Sequence, residues 1–170
     1  LLTSQRVEPA LLIKKQDELS LSGTAFITLL RAVLDKGVPF RFRATGFSMS
    51  PFIRDGDVLT VSPLSGRPRL GDVVAFVKQE PGALAIHRVV GTGAGVCLIR
   101  GDNSSRDDGY VPEANILGRI TKVKRNGKRI LLGLGPERYV IGVLACKGLL
   151  IPWLSSVPGP LRTLLRRMQT

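Results

Sequence analysis

The sequence has few cysteines, few aromatic residues, a single histidine and no long uninterrupted apolar run. Its two cysteines, Cys97 and Cys146, exclude a disulfide scaffold. Both sit in apolar stretches, where a cysteine is expected as a small buried residue. Aromatic residues make up 5% of the chain, and no zinc finger, basic zipper or aromatic-rich RNA-binding pattern accompanies them, so nucleic acid is not an expected partner. The opening stretch LLTSQRVEPALLIKKQDELS carries charges throughout. It lacks both the apolar centre of a signal peptide and the roughly 20 apolar residues that cross a bilayer.

Positive charge is abundant. Lys and Arg number 25 against 13 Asp and Glu, for a net charge of +12. Such a surface attracts nucleic acid, anionic lipid or acidic substrate alike. With nucleic acid disfavoured, an anionic membrane surface is the expected macroscopic partner. The 44% apolar and 22% charged fractions are those of a folded protein, and 19 glycines with 11 prolines imply many turns. A length of 170 residues fits one domain with a small excursion.

Three regions are distinguishable. Residues 1–39 combine a loosely ordered arm with one amphipathic helix over 24–36. Ser22 is its expected cap, Phe26, Ile27, Leu30, Val33 and Leu34 form its apolar face, and Gly37 and Pro39 stop it. One helix is too little for a helix-turn-helix module. Residues 40–136 read as β structure, in the runs FRFRAT, DVLTVS, DVVAFV, LAIHRVV, GVCLIR, ILGRITKVKR and KRILLGL. Asn126-Gly127 marks a two-residue hairpin turn. Residues 137–170 are apolar and basic, interrupted by Lys147, Pro152, Pro158 and Pro160. Trp153, Arg162, Arg166 and Arg167 suit a membrane interface, and packing on the domain is the equal alternative. The expected fold class is therefore mainly β, with an N-terminal amphipathic helix and an apolar C-terminal segment.

The candidate chemistry centres on Ser48 in TGFSMSP, where a turn following a strand presents a hydroxyl and Gly46 permits close backbone approach. A serine hydroxyl becomes nucleophilic only beside a base and donors for an oxyanion. His87, the only histidine, is the natural base. A carboxylate to fix its tautomer is available from Asp102, Asp107 or Asp108 in the loop RGDNSSRDDGY. Those three acids also admit a calcium loop, but the glutamate and ligand alternation of that motif are missing. No cofactor and no metal are expected.

GFSMSPFIRDGD, GDVVAF, HRVVG and RGDN with RDD, in this order between about Thr45 and Ile120, resemble the successive boxes of the type I signal peptidase family. Related boxes occur in self-cleaving repressor peptidases. The resemblance implies a mostly antiparallel β fold and a serine nucleophile. With histidine at 87, the chain is similar to the endoplasmic-reticulum, archaeal and spore-former branch. Ser48 then falls on the nucleophile, His87 on the base and Asp108 on the orienting aspartate, with Asp107 one residue away. Asp102, Gly46 and Met49 fall on supporting positions. The implied function is a serine endopeptidase acting on an extended signal- or leader-type precursor. A non-catalytic peptide- or lipid-binding module and a self-cleaving switch are the alternatives. That family carries an N-terminal transmembrane anchor, whereas the 24–36 helix in this place is too short to span. A peripheral or interfacial membrane location, or a cytoplasmic one, is expected.

Overall fold

The computed structural model describes residues 23–79 and 82–156. The expected helix is α1, Gly23–Asp35, with Leu30 and Leu34 buried one turn apart. Phe26 extends this stripe, meeting Phe40 and Phe42 edge-on at ring-centroid distances of 5.7 and 5.4 Å. The helix ends where Gly37 turns left-handed at φ 76°, and the Gly37 and Val38 N–H groups donate to the carbonyls of Leu34 and Val33. The expected Ser22 cap and the N-terminal arm lie outside the described residues.

The rest of the body is an antiparallel sheet: β1 (Phe40–Arg43), β2 (Val58–Ser62), β3 (Val73–Val77), β4 (Leu84–Thr92), β5 (Val96–Arg100), β6 (Asp107–Pro112), β7 (Ile116–Arg125) and β8 (Lys128–Ile130). The strand order is β1-β2-β7-β3-β4-β5-β6, and β8 pairs with β7. The chain is mainly β, as its short β-branched runs imply. Asn126 and Gly127, at φ 51° and 78°, form the turn between β7 and β8. One strand departs from the sequence expectation. DDGYVP lacks alternation and reads as part of an acidic loop, yet it pairs with β5 as β6.

Alternation along the strands divides the core. Leu59, Val61, Val73, Ala75, Ile120, Val123 and Ile130 cluster with Leu30 and Leu34 of α1. Val74, Phe76, Val89, Ile99, Val111 and Ile116 form a second cluster. Between strands, two turns of the same form feed β2 and β3. In 54–57 and in 69–72 an Asp carboxylate accepts the N–H of the Arg three residues earlier, at 2.8 and 2.9 Å. Each Asp is buried and then grips arginine. Asp57 takes Arg125 with two bonds of 2.8 and 2.7 Å, and Asp72 lies 3.1 Å from Arg119 and 3.3 Å from Arg138.

The C-terminal region forms α2 (Arg138–Cys146) and α3 (Leu150–Ser156). α2 rests on β4 and buries Ile141, Gly142 and Ala145. It comes so close that a Cβ on Gly71 would lie 2.3 Å from the Arg138 carbonyl oxygen. The segment does not continue as one helix, as its prolines imply, and Pro152 occupies the first turn of α3, where its missing N–H has no helical partner to lose. The break is at Gly148, at φ 68°. Cys97 is buried as expected, but Cys146 is exposed because α2 turns that position outward. Among the described residues no single helix is long and apolar enough to cross a membrane, and α2 and α3 are bent by 112°. Both packing and exposure occur in the pair, since Val140, Val143, Leu149, Ile151 and Trp153 remain exposed. Pro158, Pro160, Arg162, Arg166 and Arg167 lie outside the described residues.

Positive charge is concentrated on one outward sheet face. Register places Arg41, Thr60 and Lys122 in one cross-strand row, and Arg43, Val58, Lys124 and Arg129 in the next. Paired residues share a face. The five cations are exposed, and none forms an ion pair among the described residues.

Candidate active site

Ser48 is exposed between a buried anchor and a bonded loop. Met49, 4% exposed, inserts into the α1 cluster, so the residue after Ser48 fixes the turn to the core. Gly46, at φ 91°, donates its N–H to Asp55 Oδ1 at 2.9 Å. The Ser48 carbonyl accepts the Asn103 N–H at 2.8 Å. This last bond links the connection after β1 to the connection between β5 and β6. β1 and β6 terminate the strand order, so segments adjoining its two ends meet at the site.

His87, in the middle of β4, faces Ser48. Its Nε2 lies 2.9 Å from Ser48 Oγ, and its Nδ1 lies 2.5 Å from Asp108 Oδ2. An ionised carboxylate only accepts, so Nδ1 carries the proton in the neutral ring and Nε2 is left as the acceptor toward Ser48. This tautomer can take the hydroxyl proton. Phe76 packs beside the ring at a centroid distance of 6.0 Å. Asp108 has a second partner: Lys78 Nζ lies 2.7 Å from its Oδ1. Burial would raise the Asp108 carboxyl, but hydrogen bonds from His87 and Lys78, followed by their charges, outweigh it and hold the group below its ordinary value.

The three sequence-selected acids separate in space. Asp108 alone touches His87. Asp107, the preceding residue, stays beside its cross-strand partner Arg100, with its Oδ1 accepting the Gly109 N–H at 3.2 Å. Asp102 is fully engaged elsewhere, accepting Arg88 Nε and Nη2 at 2.7 Å each. Arg88 is wholly buried, and its Nη1 donates to the Gly71 and Gly133 carbonyls at 2.8 and 2.9 Å. The Asp102–Arg88 pair thus fixes the residues following Gly101 and His87 without touching Ser48. Such a division does not make a calcium loop, and among the described residues no three His, Cys, Asp or Glu side chains converge.

Sequence patterns do not reveal Lys78, Gly101 or Asn103 as site residues. Lys78 reads as a solvated charge at a strand end. Gly101 matters because a Cβ there would lie 2.7 Å from the Ser48 carbonyl oxygen and 3.2 Å from His87 Nε2. Asn103 carries no signal beyond its place in GDN, and its role depends on the meeting of those two segments. Together these residues frame a hydroxyl, a base and a carboxylate in one hydrogen-bonded line, which is a constellation for acyl transfer.

A family model described as peptidase S24-like matches residues 12–121, well over half of the chain. No curated protein matches it.

Proposed function

Since this chain belongs to the peptidase S24-like family, we propose that it is a serine endopeptidase in which Ser48 is the nucleophile, His87 the general base and Asp108 the residue that orients the base. The observation that carries this reading is the line Ser48 Oγ to His87 Nε2 at 2.9 Å and His87 Nδ1 to Asp108 Oδ2 at 2.5 Å. His87 takes the hydroxyl proton as Ser48 attacks the peptide carbonyl, then returns it to the departing amine. Asp108 remains ionised and stabilises the imidazolium formed in between. The Ser48 N–H, which donates to no group among the described residues, is the proposed oxyanion donor. Water attacks the acyl-enzyme and regenerates the hydroxyl.

The proposed substrate is an extended precursor of the signal or leader type, consistent with the order of boxes from Ser48 to Asp108. Asp108 lies on β6, the strand at one end of the order, so an extended substrate can pair with that edge and bring its carbonyl toward Ser48. The proposed partner surface is anionic lipid, and the row of Arg41, Arg43, Lys122, Lys124 and Arg129 supports it by charge complementarity.

The deciding experiment treats purified protein with a serine-directed fluorophosphonate and locates the adduct by mass spectrometry. The expected adduct is on Ser48 and is missing from Ser48→Ala. A label elsewhere, or an equal label on Ser48→Ala, overturns the assignment. New N-termini in cells with native rather than Ser48→Ala protein identify the substrate. A Ser48-dependent nick in this chain, at a rate independent of concentration, replaces the separate-substrate reading with self-cleavage.

A further inference from the structure

We propose that Lys78 is a positioning residue that sets the lower pH limit of catalysis by holding the second oxygen of Asp108. This inference rests on the roles proposed above for Ser48, His87 and Asp108. The geometry is direct: one carboxylate bridges two nitrogen donors, with Oδ2 on His87 Nδ1 and Oδ1 on Lys78 Nζ. Lys78 lies just beyond β3 and Asp108 on β6, strands not paired with each other, so their meeting is a product of tertiary structure.

Two consequences follow. First, a carboxylate bonded at both oxygens cannot rotate, so its Oδ2 stays aimed at the imidazole and the Nδ1–H tautomer persists. Second, the ammonium opposes the imidazolium that forms across the same carboxylate. An Asp108 shared with Lys78 favours protonated His87 less than an Asp108 left alone. Loss of Lys78 is therefore expected to move the acid limit of catalysis upward, and this is the quantity the experiment reads. The effect is bounded because the Lys78 side chain is 36% exposed and water screens its charge.

Among the described residues, Lys78 is the cation paired with Asp108. The remaining charged groups near His87 are paired: Arg88 of β4 with Asp102, and Arg100 of β5 with Asp107. Ser48 contributes a neutral hydroxyl, and Phe76 of β3 an apolar ring. Lys78 is thus the cation through which the line can be tuned.

The single histidine makes the test specific. Ring 15N and 1H resonances of His87 are titrated in native protein, Lys78→Met and Lys78→Arg. Lys78→Met is expected to move the midpoint up by about half to one pH unit, and Lys78→Arg to restore most of the native value. The acid limb of fluorophosphonate acylation moves in parallel. An unmoved or lowered midpoint in Lys78→Met overturns the proposal. So does a Lys78→Arg midpoint that coincides with that of Lys78→Met, a comparison in which the arginine variant keeps the charge of the native side chain. Failure of native protein to acylate at any pH rejects the catalytic reading instead, because the resonance titration reports the Lys78 coupling without turnover.

Discussion

Each residue at the site has a geometrically separate task, and substitutions separate them. Ser48→Ala removes an exposed hydroxyl, so acylation is lost while stability stays within about 0.5 kcal/mol of native, measured by urea unfolding. Asp108→Asn leaves the carboxylate site occupied but can favour the wrong tautomer, and acylation falls by about 10³–10⁴-fold. Asp107→Asn changes the rate by roughly twofold or less, because that carboxylate faces Arg100 and solvent. Equal losses in the two variants would contradict this assignment of the acids. Gly101→Ala forces the Ser48 carbonyl and His87 ring apart, and a displacement near 1 Å costs about 10²-fold in rate. Asp108 also links stability to pH. Its folded value lies below the unfolded value of about 3.9, so its contribution is present above that pH and disappears as acid protonates the folded group. Between pH 5 and pH 3 native protein is therefore expected to lose more of its urea midpoint than Asp108→Asn. The Gly and Pro turn holds both Ser48 and Ser50 and does not choose between them. Ser48 was legible through the resemblance of the ordered boxes, and His87 as the single histidine. Lys78 and Gly101 were not, since each acts on a residue far away in the chain.

At the scale of elements, the same Asp turn performs two jobs before β2 and β3. It closes on its own backbone and then holds an arginine from a distant segment. The second turn connects the site to α2. The Gly71 N–H donates to the Val89 carbonyl, the Val89 N–H donates to the Asp72 carbonyl, and Asp72 lies beside Arg138 at the start of α2. Gly71 sits at φ 87° with no room for a Cβ against the Arg138 carbonyl. Gly71→Ala combines backbone strain with a steric clash, and a loss of about 2–4 kcal/mol is expected in urea unfolding. Hydrogen exchange should show the loss of protection beginning in α2 and spreading to the β4 residues after His87. A change below about 0.5 kcal/mol would mean that α2 moves aside freely. Most strands were legible from β-branched runs, and the β7–β8 turn from Asn126-Gly127. β6 was not, because polar residues and Gly109 hide a strand whose order comes from pairing with β5. This difference bears directly on Asp107 and Asp108. In a loop their side chains could exchange places, whereas strand pairing commits Asp107 to Arg100 and leaves Asp108 for His87.

For the whole molecule, the net charge of +12 gives a sign but no direction, and the sheet register supplies the direction. Neighbouring strands stand about 4.8 Å apart and alternate residues about 6.8 Å apart, so the five cations occupy a patch of roughly 15 by 7 Å. That patch carries only the buried Thr60 and the half-buried Val58 between its charges. It offers no aromatic ring for base stacking, which is why lipid phosphates rather than nucleic acid are the proposed partner. Each cation near an anionic surface contributes about 1 kcal/mol at physiological salt, or about fivefold in partition. Changing Arg41, Arg43, Lys122, Lys124 and Arg129 together to Gln should lower binding to phosphatidylglycerol-containing vesicles by at least about 100-fold in a sedimentation assay. A second variant with Arg31, Lys36, Arg69, Arg106 and Lys147 changed to Gln removes the same charge from scattered exposed sites. It should lose much less, since a charge beyond a Debye length of about 8 Å from the lipid is screened. Equal losses would show that binding follows total charge alone, and the sheet face would then have no special part in orienting the site toward a membrane.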